Sequence, residues 1–176
     1  MNDAIFAQHA ALYGDLGFWP RPVTPGTKKA AVPGWQNPDP EIPKGTREGW
    51  LRKFADFGIG LTMGSPLPDG TTLGAVDIDR NEYVGLGEAL LGEIVCGRFG
   101  SKGIVIFVRV SGPAKSRDFK VRRGGEAKGD KVAEALFKRK FCVIPPTIHP
   151  GTSAPYRWIG TPLLEVDVNR LPLVIT

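Results

Sequence analysis

At 176 residues and 19.0 kDa the chain is long enough to bury an apolar core without disulfide or metal staples, and short enough for one domain. Its 41% hydrophobic content and mean hydropathy of -0.11 are those of a soluble globular protein, and no apolar run approaches the roughly 20 residues of a membrane span. Net charge is only +5, yet residues 98–140 hold 13 Lys/Arg against four Asp/Glu, a concentrated positive field suited to a polyanion such as DNA or a triphosphate, with a solvated basic loop as the plain alternative.

The N-terminus lacks a basic segment before an apolar run, so it reads as an amphipathic helix and not a secretory signal, which points to a cytoplasmic protein. From Asp3 to Leu16, the residues Ile5, Phe6, Leu12, Tyr13 and Leu16 roughly follow helical spacing, and Gly17 marks the exit into a strand at FWPRPVT. Residues 25–45, with five prolines, three glycines and the pair Lys28-Lys29, predict an extended, stiff loop able to close over a ligand. A helix is expected from Thr46, as its N-cap, to a stop at Gly58, followed by a strand at GIGLTMG. After the turn PLPDG, the run TTLGAVDID reads as a strand, Tyr83–Val95 as a helix and GIVIFVRV as a further strand.

The stretch from Ser111 to Lys131 is basic without clean periodicity and reads as a flexible arm. VAEALFKRKFCVIPP then reads as two short strands joined in a hairpin near Lys138 to Lys140. The end, TIHPGTSAPYRWIG and LPLVIT, is turn-rich, and its apolar close implies either a longer polypeptide or a tail docked on the core. Cys96 and Cys142, the only cysteines, sit among apolar residues without a CxxC partner and predict buried, reduced thiols.

The chemistry is concentrated in LGAVDID. Asp77 and Asp79 are two apart on an expected strand, so both side chains share one face while Val76 and Ile78 point into the core. Carboxylates held this close to apolar neighbours resist ionisation unless a cation sits between them, which predicts bound Mg²⁺ or Mn²⁺. Glu134, flanked by Ala133 and Ala135, is either a third member of that set or a solvent-facing partner of Lys102 or Lys138. Arg98, Lys102 and Arg109 surround the glycines of CGRFGSKG in what reads as a phosphate cradle, although neither GxxxxGK[ST] nor GxGxxG before a helix is present. His149, in the proline-flanked PPTIHPGT, faces a phosphate, a metal or a base, or satisfies a turn. Trp35, Tyr156 and Trp158 are either stacking platforms or core.

Taken in order, GFWPRPVTPGTKKAAVPGWQ, GIGLTMG, GAVDID and VAEALFKRKFCVIPPTIHPGTSAPYRW resemble the bifunctional primase-polymerase domain of the archaeo-eukaryotic primase superfamily over most of the chain. The resemblance places Lys29, ahead of Pro33-Gly34-Trp35, near the active-site mouth, and makes Asp77 and Asp79 the first catalytic motif. It makes Glu134, 11 residues before Pro145 of PPTIHP, the third motif. The second motif, small-x-His, is not matched, because Gly103 stands where the histidine would fall. In this the chain resembles a phage- and plasmid-type variant in which Arg98, Lys102 and Arg109 take over triphosphate contacts.

The fold this resemblance implies is α+β, a single domain over 1–176 in which an N-terminal α/β lobe (about 1–70) packs on an RRM-like catalytic lobe (71–176). The implied activity is template-directed DNA primase/polymerase chemistry with two divalent ions on Asp77, Asp79 and Glu134. Arg98, Lys102, Arg109, His149 and Lys29 would bind nucleotide, and Lys120, Arg122 and Arg123 the phosphates of a single-stranded DNA template. Nucleoside triphosphates and single-stranded DNA are the expected partners, with a fused or associated helicase as a further one and no membrane. The alternatives are a catalytically silent single-stranded nucleic-acid-binding module and a metal-dependent nuclease. A nicking initiator of the paired-histidine type is excluded, since His9 and His149 are the only histidines and no HxH occurs.

Overall fold

The computed structural model describes residues 4–122, 124 and 129–176. Helix α1 (Ile5–Asp15) forms because Phe6, Ala10 and Tyr13 recur at helical spacing and bury one face. Strand β1 (Trp19–Val23) follows. Helix α2 (Lys44–Lys53) starts two residues before the expected Thr46, because Pro43, with its φ fixed near the helical value, serves as the cap and accepts from Thr46 N–H at 2.9 Å. Strand β2 (Gly58–Thr62) pairs antiparallel with β1.

The loop between β1 and α2 is anchored from beneath by Arg21 of β1, whose side chain is fully buried. Its guanidinium donates to the carbonyls of Trp35 and Asn37 at 3.0 and 2.7 Å and to Asp39 Oδ1 at 2.6 Å. Thr62 Oγ1 adds a second bond to the Trp35 carbonyl at 2.6 Å. An isolated buried charge would be very costly, so these partners are what make Arg21 tolerable and the proline-rich loop ordered.

The larger sheet begins with β3 (Thr72–Ile78), crosses the outer face through α3 (Val84–Leu91), and continues with β4 (Cys96–Phe99), β5 (Ile104–Ser111), β6 (Arg117–Val121) and β7 (Asp130–Leu136). Its order is β6-β7-β3-β5-β4-β9, where β9 is Arg157–Gly160, and β10 (Leu173–Ile175) lies parallel to the far end of β5. Strand β8 (Phe141–Val143) instead completes a second, three-stranded sheet, β1-β2-β8. The architecture is α+β: among the described residues, three α-helices and two sheets, antiparallel apart from β10.

Four expectations are corrected. The helix over Tyr83–Val95 is shorter, eight residues, leaving room for β4, which the glycines of CGRFG disguised as a turn. The basic arm contains an edge strand, β6, whose every residue is exposed and therefore shows no buried face to read. Strands β7 and β8 are not a hairpin, since β7 pairs with β3 and β6 while β8 crosses to β2. Sheet membership also does not divide at residue 70, because β8 belongs with β1 and β2.

Between the sheets lies the main core, in which Leu73 and Ala75 of β3 meet Phe107 of β5, Ile59 and Leu61 of β2, and the buried face of α1. A second apolar cluster, with Ile78, Ile106 and Val108, fills the outer face under α3. Strand β3 is thus buried on both faces, and its inner row reads Leu73, Ala75, Asp77. The carboxylate stands where the interlayer core gives way to a cavity. Cys96 and Cys142 are buried free thiols, as expected, and burial pushes that of Cys96 up to about 12. No helix among the described residues is long and apolar enough to cross a membrane.

Candidate active site

The strand registers set one cross-strand row along the inner face of the larger sheet. Asp118 of β6 faces Glu134 of β7, Glu134 faces Asp77 of β3, Asp77 faces Val105 of β5, and Val105 faces Arg98 of β4. Facing residues share a side of the sheet, so three carboxylates and one guanidinium lie on a single line across the strands. Asp79 follows just beyond β3, its N–H bonded to the Val132 carbonyl at 2.9 Å.

Above this row is a polar cavity of about 170 Å³ to which Asp77, Asp79, Arg98, Lys102, His149 and Lys28 contribute. Asp79 Oδ2, Arg98 Nε and the Tyr156 hydroxyl are buried there with no hydrogen-bond partner among the described residues. Buried polar atoms without partners are rare and costly, which marks the cavity as built for something it must receive. Burial raises the Asp77 pKa, and the charges of Asp79 and Glu134 raise it further against the opposing pull of Arg98 and Lys131. Two inward-aimed carboxylates that meet no hydrogen-bond donor among the described residues, with burial disfavouring the charged form of Asp77, fit a hard divalent cation. Asp77 and Asp79 are the residues that would hold it.

Arg98 is fixed in place. Its Cζ stacks 4.5 Å from the Tyr156 ring centroid, and Nη2 lies 3.8 Å from Cys142 Sγ. The turn carrying Ser101 and Lys102 is tied down by Asn81, whose Oδ1 accepts from Gly103 N–H at 2.6 Å. Gly103 has φ +58°, and a Cβ there would stand 1.7 Å from the Ile78 carbonyl oxygen, so no side chain fits at the position expected for a histidine. The imidazole in the cavity is that of His149. Its Nδ1 accepts from Gly151 N–H at 3.0 Å, which in the neutral ring leaves the proton on Nε2, 3.5 Å from Ser101 Oγ. Burial lowers the His149 pKa, and Lys28 and Arg98 lower it further, so the ring is a neutral donor near pH 7. Gly100 permits this arrangement, because a Cβ there would meet Tyr156 at 2.7 Å and His149 at 3.0 Å.

Not every expected residue arrives. Arg109 lies at the other end of β5, where it bonds Asp69 at 2.7 Å and the Leu171 carbonyl at 3.0 Å, so it takes no part in the cavity. Lys29 is exposed on the loop, and its neighbour Lys28 is the one that reaches the cavity. Glu134 shares the row with Asp77, but its oxygens accept from Lys131 at 2.5 Å and Lys140 at 2.6 Å, neither of them the lysine its solvent-facing alternative named. Burial alone would raise its pKa, but these two ammonium groups hold it below the usual value. No group of three His, Cys, Asp or Glu side chains close enough to hold one metal is formed among the described residues. Lys120 is exposed on edge strand β6 and Arg122 just after it, while Arg123 falls outside the described residues.

Sequence reasoning missed Lys28, Ser101, Lys131 and Lys140, and left Tyr156 and the other aromatics undecided. Tyr156 is a cavity wall, whereas Trp35 packs on Phe141 at 5.5 Å and Trp158 on Phe107 at 5.9 Å. A signal for Tyr156 existed in the prolines of PPTIHPGTSAPY, which close a tight loop through Tyr156 N–H to Thr147 O at 2.8 Å and set His149 edge-on to it at 5.0 Å.

Compared with known proteins, residues 10–173 match the family described as bifunctional DNA primase/polymerase, N-terminal. No curated protein matches the chain.

Proposed function

The chain belongs to the bifunctional DNA primase/polymerase family, a family of nucleotidyltransferases acting on DNA and nucleotides, and from that premise we propose that it extends or initiates chains on single-stranded DNA through the cavity above β3. The observation that carries the proposal is the pair Asp77 and Asp79, which meet no hydrogen-bond donor among the described residues and line a polar cavity that also holds an immobilised arginine. These two carboxylates would hold the first of two ions, Mg²⁺ or Mn²⁺, with Glu134 as the remaining carboxylate of the row. When bound on Asp77 and Asp79, such an ion would supply Lewis-acid stabilisation of charge on the phosphate and favour deprotonation of the attacking 3′-hydroxyl.

The chain's own residues supply the rest. Arg98, held by Tyr156, offers a preorganised charge to a phosphate without paying for reorientation. Lys28 and Lys102 supply exposed charges at the mouth, and His149 offers Nε2–H as a neutral donor. The side chains of Tyr156 and Phe141 exclude water from one wall. Lys120 and Arg122 on the edge of the same sheet, with Arg123, are the proposed template contacts, adding salt-sensitive affinity without base selectivity.

A second reading, a silent single-strand-binding module, is favoured by two observations: Glu134 is occupied by lysines, and Gly103 excludes the second-motif histidine. One experiment separates the two. The protein is incubated with Mg²⁺ or Mn²⁺, labelled nucleotides and single-stranded DNA, with and without primer, beside an Asp77→Ala/Asp79→Ala double variant. Template-dependent products that vanish in the variant support the nucleotidyltransferase, and the primer-free lane separates priming from extension. DNA binding without product in any lane supports the silent module.

A further inference from the structure

The cation demand of the carboxylate row is met unevenly. On one half, Glu134 is bonded at both oxygens, by Lys131 at 2.5 Å and Lys140 at 2.6 Å, and Lys131 also lies 3.4 Å from Asp118. On the other half, no hydrogen-bond donor among the described residues engages the side chain of Asp77 or Asp79, and Asp79 Oδ2 is buried without a partner.

The position of Lys131 is a product of backbone geometry. The pairing of β6 and β7 shifts register, with Phe119 facing Ala133 but Lys120 facing Lys131, so Val132 is the extra residue of a β-bulge. Three residues apart on a regular strand, Lys131 and Glu134 would point to opposite faces. The bulge turns Lys131 onto the carboxylate face. Lys140 reaches the same carboxylate from the crossover between β7 and β8, and hence from the side of the smaller sheet.

We propose that Lys131 and Lys140 act as built-in counter-ions of Glu134, restricting the nucleotide-free protein to a single divalent ion on Asp77 and Asp79. An incoming triphosphate competes for the two ammonium groups and releases Glu134. The proposal rests on the reading of Asp77 and Asp79 as a cation site.

The test counts ions and not products. Mn²⁺ alone is titrated into the nucleotide-free protein, and free Mn²⁺ is followed by electron paramagnetic resonance. One bound ion is expected for the wild type and two for Lys131→Gln/Lys140→Gln, with Lys131→Arg, which keeps the charge, remaining at one. The single Lys140→Gln variant is expected to bind a second ion more weakly, and serves if the double variant fails to fold. Two ions on the nucleotide-free wild type, or one ion on folded Lys131→Gln/Lys140→Gln or, where that fails to fold, on Lys140→Gln, overturns the counter-ion role while leaving the cation site standing. An Asp77→Asn/Asp79→Asn protein that binds Mn²⁺ as the wild type does, or a wild type that binds none, overturns the cation site itself and the inference with it.

Discussion

Replacing Arg21 by Met tests whether the proline-rich loop is held to the fold from inside. Arg21 is fully buried and donates to Trp35 O, Asn37 O and Asp39 Oδ1, besides Pro20 O at 2.9 Å. Methionine keeps most of the volume, so cavity formation contributes little. What is lost is charge and donors, and removing one partner of a buried ion pair costs about 3–5 kcal/mol. Arg47 remains 3.1 Å from Asp39 Oδ2, which pulls the figure toward the lower end, while the Asn37 carbonyl, which loses its donor, pulls it upward by roughly 1 kcal/mol. A net loss of about 4 kcal/mol corresponds to a fall in Tm of roughly 8–16 °C for a domain of this size. Urea unfolding followed by circular dichroism, with Asp39→Asn and the double variant to close the cycle, measures the coupling directly. Because the loop carries Lys28 to the cavity, KM for nucleotide is expected to rise more than kcat falls. A loss below about 1 kcal/mol, or additive single variants, refutes the reasoning, since buried pairs in contact do not behave so.

The remaining predictions concern the row and its turn. Asp77→Asn is expected to lower nucleotidyl transfer by about a hundred- to a thousandfold, on the scale of losing preorganised charge stabilisation, while raising the urea midpoint of the metal-free protein at pH 7, because burial and like charges disfavour the ionised Asp77. Glu134, whose folded pKa is depressed, contributes stability that is present above its unfolded value of about 4.3 and lost as pH falls through the lower folded value. The stability gap between wild type and Glu134→Gln is therefore expected to shrink between about pH 5 and pH 3, as read from urea midpoints. Gly103→Ala is expected to destabilise by several kcal/mol and to abolish activity, whereas Gly70→Ala, at φ +82° with open space around it, costs about 1 kcal/mol by chemical denaturation. Lys120→Ala/Arg122→Ala is expected to weaken single-stranded DNA binding uniformly across sequences and to reduce the salt slope by about 1.4, as measured by fluorescence anisotropy.

How much of this was legible follows from the range of the interactions involved. The face shared by Asp77 and Asp79 could be read directly, because strand periodicity is local and the flank GAV declares burial. Glu134 was legible as a member of the row only through its spacing to PPTIHP, and its lysines were not legible at all. Strand β4 escaped because its stability comes from β5 on one side and β9 on the other, not from its own propensities.

By itself the sequence determined the carboxylate pair and the basic middle of the chain, since composition and short-period patterning carry that information without a partner, and it carried the α+β class through its resemblance to a known family. Only the tertiary structure decided which charges meet. It removed Arg109 by pairing it with Asp69, chose Lys28 over Lys29, and brought His149 to a cavity where Gly103 admits no side chain. It also turned Lys131 onto Glu134 through a one-residue bulge. Each outcome depends on hydrogen-bond partners far apart in the chain, brought together by strand register and by the crossover that carries β8 to the other sheet, and no local pattern encodes such a meeting.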